Sequence, residues 1–117
     1  MKKLILLGAF LWLCMGCEAI FVEDISNKQV VVLAPTEDAQ LTAGTISFSW
    51  QLLEEASSYR IQVATPDFNN ATQVVLDTSV TDNTTSVVLT PGTYQWRISA
   101  SNTEYTTNNT TINFTVN

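Results

Sequence analysis

The feature that most constrains the fold is a strict alternation of polar and apolar residues that recurs four times along the chain. Thr45-Ile46-Ser47-Phe48-Ser49-Trp50 keeps it without a fault, as do Tyr59-Arg60-Ile61-Gln62-Val63, Tyr94-Gln95-Trp96-Arg97-Ile98-Ser99-Ala100 and Ile112-Asn113-Phe114-Thr115-Val116. A period of two places every second side chain on one face, which is the pattern of a strand with one face buried. Shorter β-rich runs, Val30-Val31-Val32-Leu33, Val74-Val75-Leu76 and Ser86-Val87-Val88-Leu89, bring the expected strands to seven. Turn-forming stretches separate them, among them Ala34-Pro35-Thr36-Glu37-Asp38, Pro66-Asp67-Phe68-Asn69-Asn70 and Thr90-Pro91-Gly92. No helical period is sustained after Val30; the stretch from Gln51 to Ser57 has room for one or two turns. The expectation is an all-β, seven-stranded antiparallel β-sandwich over residues 30–117. Its core should be built from Ile46, Phe48, Trp50, Tyr59, Ile61, Val63, Tyr94, Trp96, Ile98, Ile112, Phe114 and Val116.

Three pieces of this region together resemble the fibronectin type III module, an immunoglobulin-like sandwich. They are Trp50 late in the second strand, Tyr59 opening the third, and Leu89-Thr90-Pro91-Gly92-Thr93-Tyr94 leading into Arg97-Ile98-Ser99-Ala100-Ser101-Asn102. The turn before Tyr94 is similar to the family's Leu-x-Pro-Gly-Thr-x-Tyr but is one residue shorter. That departure bears on the tyrosine corner, the hydrogen bond by which such a tyrosine reaches back along the chain.

The N-terminus is of another kind. Met1-Lys2-Lys3 precedes ten apolar or small residues, Leu4 to Leu13, and then Cys14-Met15-Gly16-Cys17. A charged start, a short apolar run and a small residue before a cut form a secretory signal peptide. At ~1.5 Å per residue the run covers about half of a ~30 Å hydrocarbon core, too little to span it. A buried core helix is the plainer alternative, and Lys2 and Lys3 at the very start oppose it. Cys14 and Cys17 also have the spacing of a redox or metal pair, but neither a second pair nor a histidine accompanies them. The segment resembles the lipobox of bacterial lipoproteins, with Gly16 before the cysteine that is acylated, here Cys17. The residue three places earlier is Cys14 where a leucine is usual. With its Trp96-Arg97 pair and its Tyr59–Ala64 strand, the whole resembles small outer-membrane lipoproteins of Bacteroidetes-type bacteria that carry one such domain.

These resemblances imply a signal peptide at 1–16, a lipid-anchored tether at 17–29 and the sandwich at 30–117. A lipoprotein-type cysteine carries more than one acyl chain, which makes attachment stable where one chain binds reversibly. The tether holds Glu18, Glu23 and Asp24, which anionic head groups repel, and an apolar triplet, Ile20-Phe21-Val22, able to dock on the domain or dip into the interface.

Composition narrows the function. The 117 residues hold five Lys/Arg, eleven Asp/Glu and no histidine, for a net charge of −6. Removal of the first sixteen residues takes Lys2 and Lys3 with it and leaves three basic against eleven acidic side chains, a net charge of −8. Nucleic acid is excluded as a partner, because phosphate binding needs clustered Lys/Arg. The lack of histidine removes the commonest general base and zinc ligand. Glu54 and Glu55 are adjacent in one loop, a placement that does not suit paired acid/base work. Asp67, Asn69, Asn70, Asp77 and Asp82 offer oxygen ligands without the EF-hand spacing, and turn chemistry accounts for them more simply.

No enzyme activity, metal or cofactor is therefore expected. The expected role is a non-catalytic binding or scaffolding module of the cell envelope, attached to the outer membrane by its N-terminal lipid. Its partner would be another envelope protein or a glycan, and the other readings are a structural spacer and a carbohydrate-binding accessory protein. Candidate contact residues are Tyr105 in the loop before the last strand, and Arg60 and Arg97. If the third and sixth strands pair, as in the family, both arginines project from one sheet face beside Gln62 and Gln95. A solvated polar face is the alternative for them, and for Tyr105 a side chain folded back on the end of the sandwich.

Overall fold

The computed structural model describes residues 22–117. The expected signal peptide and Cys17 lie outside the described residues. Eight strands are present: β1 (Val32–Ala34), β2 (Ala39–Leu41), β3 (Gly44–Trp50), β4 (Ser58–Thr65), β5 (Gln73–Val80), β6 (Thr84–Leu89), β7 (Gly92–Ser101) and β8 (Thr110–Val116). They form two sheets, one of three strands in the order β1-β3-β6 and one of five in the order β2-β8-β7-β4-β5. The all-β sandwich is thus as the alternation requires, and all seven expected strands are found.

The eighth strand arises because the first does not stay in one sheet. β1 pairs with β3, and the chain then crosses at Pro35 to add Ala39–Leu41 to the other sheet, parallel to β8. Pro35 has no N–H to continue the first ladder. Asp38 turns the backbone with a φ of 62° and donates its N–H to the Asn113 carbonyl at 2.8 Å. Every other pairing is antiparallel.

The alternating residues meet between the sheets. Phe48, Trp50, Ile61, Val63, Trp96 and Ile98 are fully buried, and Ile46, Tyr59, Tyr94, Phe114 and Val116 nearly so; Ile112 is half-buried and packs against them. Phe48 sits at the centre, edge-on to Trp96 at 5.0 Å and to Phe114 at 5.9 Å between ring centroids, the arrangement aromatic quadrupoles favour. Tyr94 stacks on Phe114 at 5.6 Å and donates its hydroxyl to the Thr90 carbonyl at 2.7 Å. The shorter turn therefore still makes a tyrosine corner, from four residues downstream of the acceptor. Tyr59 closes the opposite end, its hydroxyl accepting the Leu53 N–H at 2.7 Å and pinning the β3–β4 loop.

The stretch before β1 is part of this structure from Val22 on. Ile25 is fully buried and Val30 joins the core. Asn102 Nδ2 donates to the Glu23 carbonyl at 2.8 Å, and Thr110 Oγ1 to the Val30 carbonyl at 3.3 Å. The chain thus enters the sandwich at the end formed by the β3–β4 and β7–β8 loops.

Candidate functional site

The outer face of the five-stranded sheet carries the most ordered group of polar side chains among the described residues. β4 and β7 pair so that Gln62 stands opposite Arg97, and β5 places Asp77 opposite Gln62 on the other side. Thr111 of β8 is opposite Arg97 in turn. Asp77, Gln62, Arg97 and Thr111 therefore form one rung across four strands, on the face away from Ile61, Val63 and Ile98.

Arg60 binds Asp77 through two parallel hydrogen bonds, Nε to Oδ1 at 3.1 Å and a terminal nitrogen to Oδ2 at 3.0 Å. Gln62 Nε2 adds a third bond to Oδ2 at 3.2 Å. The hydrogen bond from Arg60, ahead of the other contributions, holds the Asp77 carboxyl below the usual carboxylate range, and the same bond raises the Arg60 guanidinium above its ordinary value. Both side chains are solvated, so the fork contributes little stability of its own. Its effect is to orient Gln62.

Gln62 hands that order on. Its Oε1 accepts the Arg97 Nε–H at 2.8 Å, and the Arg97 guanidinium carbon lies 4.0 Å above the centre of the Phe68 ring. Phe68 belongs to the β4–β5 turn, which folds over the sheet because its N–H donates to Gln95 Oε1 at 2.9 Å. Gln95 Nε2 continues to Asn113 Oδ1 at 3.0 Å, and Asn113 Nδ2 to Glu37 Oε1 at 2.7 Å. A chain of hydrogen bonds thus spans the sheet from Arg60 to Glu37, with a cation–π contact at its middle.

The expected neighbours Arg60, Arg97, Gln62 and Gln95 are therefore together. In the sequence Phe68 is marked only as one residue of a turn. The signal available for it was a large apolar side chain between Asp67 and Asn69, with no periodicity to say which way it points.

Tyr105 is half-buried. Its loop is closed by Asn102, whose Oδ1 accepts the N–H groups of Glu104 at 3.0 Å and Tyr105 at 2.8 Å. With Val22, Glu23, Asp24 and Glu55 it lines an open groove where the N-terminal segment meets the loops. A second depression lies between the edges of β5 and β6, lined by Thr65, Val75, Val88, Leu89 and Pro91 among others. Neither depression contains an ordered polar constellation like that around Arg97.

The oxygen-rich turn is internally occupied. Asp67 Oδ1 accepts the Asn70 N–H at 2.7 Å, and Asp77 is committed to Arg60. Among the described residues no three acidic or cysteine side chains converge.

No family's sequence model matches this chain, and no characterised protein matches it by sequence. Solved structures do match. One is a fibronectin(III)-like module of CbhA from Clostridium thermocellum, with a TM-score of 0.55 at 10% identity over 75% of this chain and 95% of that one. The fibronectin type III domain of human KIAA0970 matches with a TM-score of 0.58 at 10% identity, over 81% of this chain and 77% of that one. The fn3 domain of the human collagen alpha-1(XX) chain matches with a TM-score of 0.56 at 13% identity, over 78% and 88%. The described chain has the fold of a single fibronectin type III-like domain.

Proposed function

We propose that this chain is a lipid-anchored, non-catalytic binding or scaffolding module of the bacterial envelope, of the kind found in Bacteroidetes-type lipoproteins. Cys17 is the acylated residue, the outer membrane holds it, and another envelope protein or a glycan is the partner. A signal peptide ending at Gly16-Cys17 supports the anchor. A fold shared with fibronectin type III modules supports a non-catalytic role.

The observation that carries the reading is the ordered outer face around Arg97. A spacer has no use for an arginine held at once by Gln62 and Phe68. The junction supports an orientation for the anchored domain. Val22 is five residues from Cys17, a reach of at most ~18 Å of extended chain, and the segment that follows is tied to Asn102. The end carrying the β3–β4 and β7–β8 loops then faces the membrane. Glu23, Asp24, Glu54, Glu55 and Glu104 lie at that end, where anionic head groups repel them. The outer face of the five-stranded sheet stands to the side, open to a partner.

Metabolic labelling with a fatty acid tests the anchor. The full chain is expected to take up label and sediment with membranes, and Cys17→Ser to do neither. A Cys17→Ser chain that is still labelled overturns the assignment.

A further inference from the structure

Arg97 is the one base among the described residues that is without a salt bridge and yet held in place by neighbouring side chains. The described residues include ten acids and three bases, Lys28, Arg60 and Arg97. Arg60 is neutralised by Asp77, whereas Arg97 meets no carboxylate within salt-bridge distance among the described residues. Its Nε is spent on Gln62, and its plane is stacked on Phe68. The two terminal nitrogens find no protein acceptor among the described residues and are not sealed from solvent. What remains is a planar fork of N–H donors, held in place before any ligand arrives. That is the geometry that binds a carboxylate end-on through two parallel bonds. An arginine already immobilised loses little freedom on binding, so more of the interaction appears as affinity.

The surroundings select the kind of molecule that brings the carboxylate. β4 and β7 lie inside the sheet with a paired strand on each side, so their backbone groups are taken up in the ladders. An extended peptide cannot add itself to this face as a further strand. The polar side chains around Arg97 are half-buried Gln62 and Gln95 and exposed Thr111, Asn113, Asp77 and Glu37. Phe68, the one aromatic ring in this constellation, is already covered by the guanidinium, so the face lacks the apolar centre typical of protein–protein contacts. Side-chain amides and carboxylates arranged in the plane of a sheet suit an array of sugar hydroxyls.

We infer that the rung Asp77-Gln62-Arg97-Thr111 is a binding site for an acidic glycan, with the carboxylate of a uronic acid residue on the free fork of Arg97 and neighbouring hydroxyls against Gln62, Gln95 and Thr111. The inference rests on the reading of the chain as a binding module and supplies the ligand class. Paired Arg60 and Asp77 leave the rung a single net positive charge at its middle, in a molecule that is otherwise acidic.

The test uses the full chain in nonionic polyoxyethylene detergent micelles, which offer neither sugar nor anion. Trigalacturonate is titrated while the Arg97 Nε–H and the side-chain amides of Gln62 and Gln95 are followed by nuclear magnetic resonance. The fully methyl-esterified trisaccharide is the uncharged control. Shifts centred on those three side chains are expected, with the ester and the Arg97→Lys chain each binding about tenfold more weakly or worse. Phe68→Ala, which leaves the charge but frees the guanidinium, is expected to weaken binding several-fold.

Three results overturn the inference. They are no site-specific shift at millimolar trigalacturonate, equal binding of ester and acid, or tighter binding of a glutamate-rich tetrapeptide, which would reassign the face to a protein partner. Labelling of Cys17 reads the anchor independently, so failure of the glycan site and failure of the anchor are told apart.

Discussion

Trp96 donates its indole N–H to the carbonyl of Pro35 at 3.2 Å, from within the core of the sandwich. Pro35 is the point at which the chain leaves the three-stranded sheet for the five-stranded one, so this bond fastens the crossing to the centre of the fold. Trp50, equally buried, has no such partner: its Nε1 is without an acceptor among the described residues. Two tryptophans of the same burial thus carry their polar atoms at different cost.

The difference is measurable. Trp96→Phe removes ring volume and also strands the buried Pro35 carbonyl, whereas Trp50→Phe removes ring volume together with an unsatisfied donor. Urea unfolding is expected to show Trp96→Phe as the more destabilising by about 1–3 kcal/mol. Equal losses, or a larger loss at Trp50, would remove the Pro35 bond from the account of what holds the crossing.

The tyrosine corner gives a second case. Tyr94→Phe keeps the ring stacked on Phe114 and deletes the bond to the Thr90 carbonyl together with the long contact to Thr90 Oγ1 at 3.5 Å. A loss of about 1 kcal/mol is expected, the usual net worth of one hydrogen bond, with an unchanged denaturant slope. No loss at all would mean that the shortened turn is held by Pro91 and packing alone.

Most of the sandwich was legible because burial on one face of a strand writes itself into the sequence with a period of two. Phe48, Ile61 and Trp96 could be assigned to the core from that period alone. β2 was not legible: Ala39-Gln40-Leu41 is too short to show a period, and its place depends on the crossing at Pro35 and on the edge that β8 offers. The site divides in the same way. The alternation put Arg60 and Arg97 on one outer face once β4 and β7 were paired. Asp77 as the partner of Arg60 depends on the register of β5, which slips by one residue at Val63/Ala64 and cannot be counted from turn length. Phe68 reaches Arg97 only through Gln95, a contact between segments 27 residues apart.

Asp77 also makes acid stability testable. Its carboxyl is held below the ordinary range by the Arg60 hydrogen bond. A carboxyl whose folded pKa lies below its unfolded value contributes stability that is present above the unfolded value, about 3.9, and is lost as the pH falls through the folded one. The stability gap between the natural chain and Asp77→Asn is therefore expected to be widest near neutrality and to close as the pH is lowered past the unfolded value. Urea midpoints of the two chains, followed downward from about pH 6, check this. A gap that is constant with pH would show that the Arg60 bond does not shift the carboxyl.

Asn102 joins three segments, and its two side-chain atoms divide the work. Nδ2 donates to the carbonyls of Glu23 at 2.8 Å and Glu55 at 3.3 Å, while Oδ1 accepts from the N–H groups of Glu104 and Tyr105. Asn102→Asp keeps the acceptor and abolishes the donor; Asn102→Ala abolishes both. Amide hydrogen exchange separates the two roles, since it reads local opening without requiring the whole domain to unfold. With alanine, exchange at Glu104 and Tyr105 is expected to quicken about tenfold or more, the effect of losing about 1.4 kcal/mol of local protection. With aspartate those two amides stay protected, yet protease cleavage between Val22 and Lys28 increases in both variants because the Glu23 carbonyl is released. Ile61 and Ile98, deep in β4 and β7, should exchange as before in each. If aspartate leaves cleavage unchanged, the N-terminal segment is held by buried Ile25 and not by Asn102. The orientation argued for the anchored domain would then rest on packing alone.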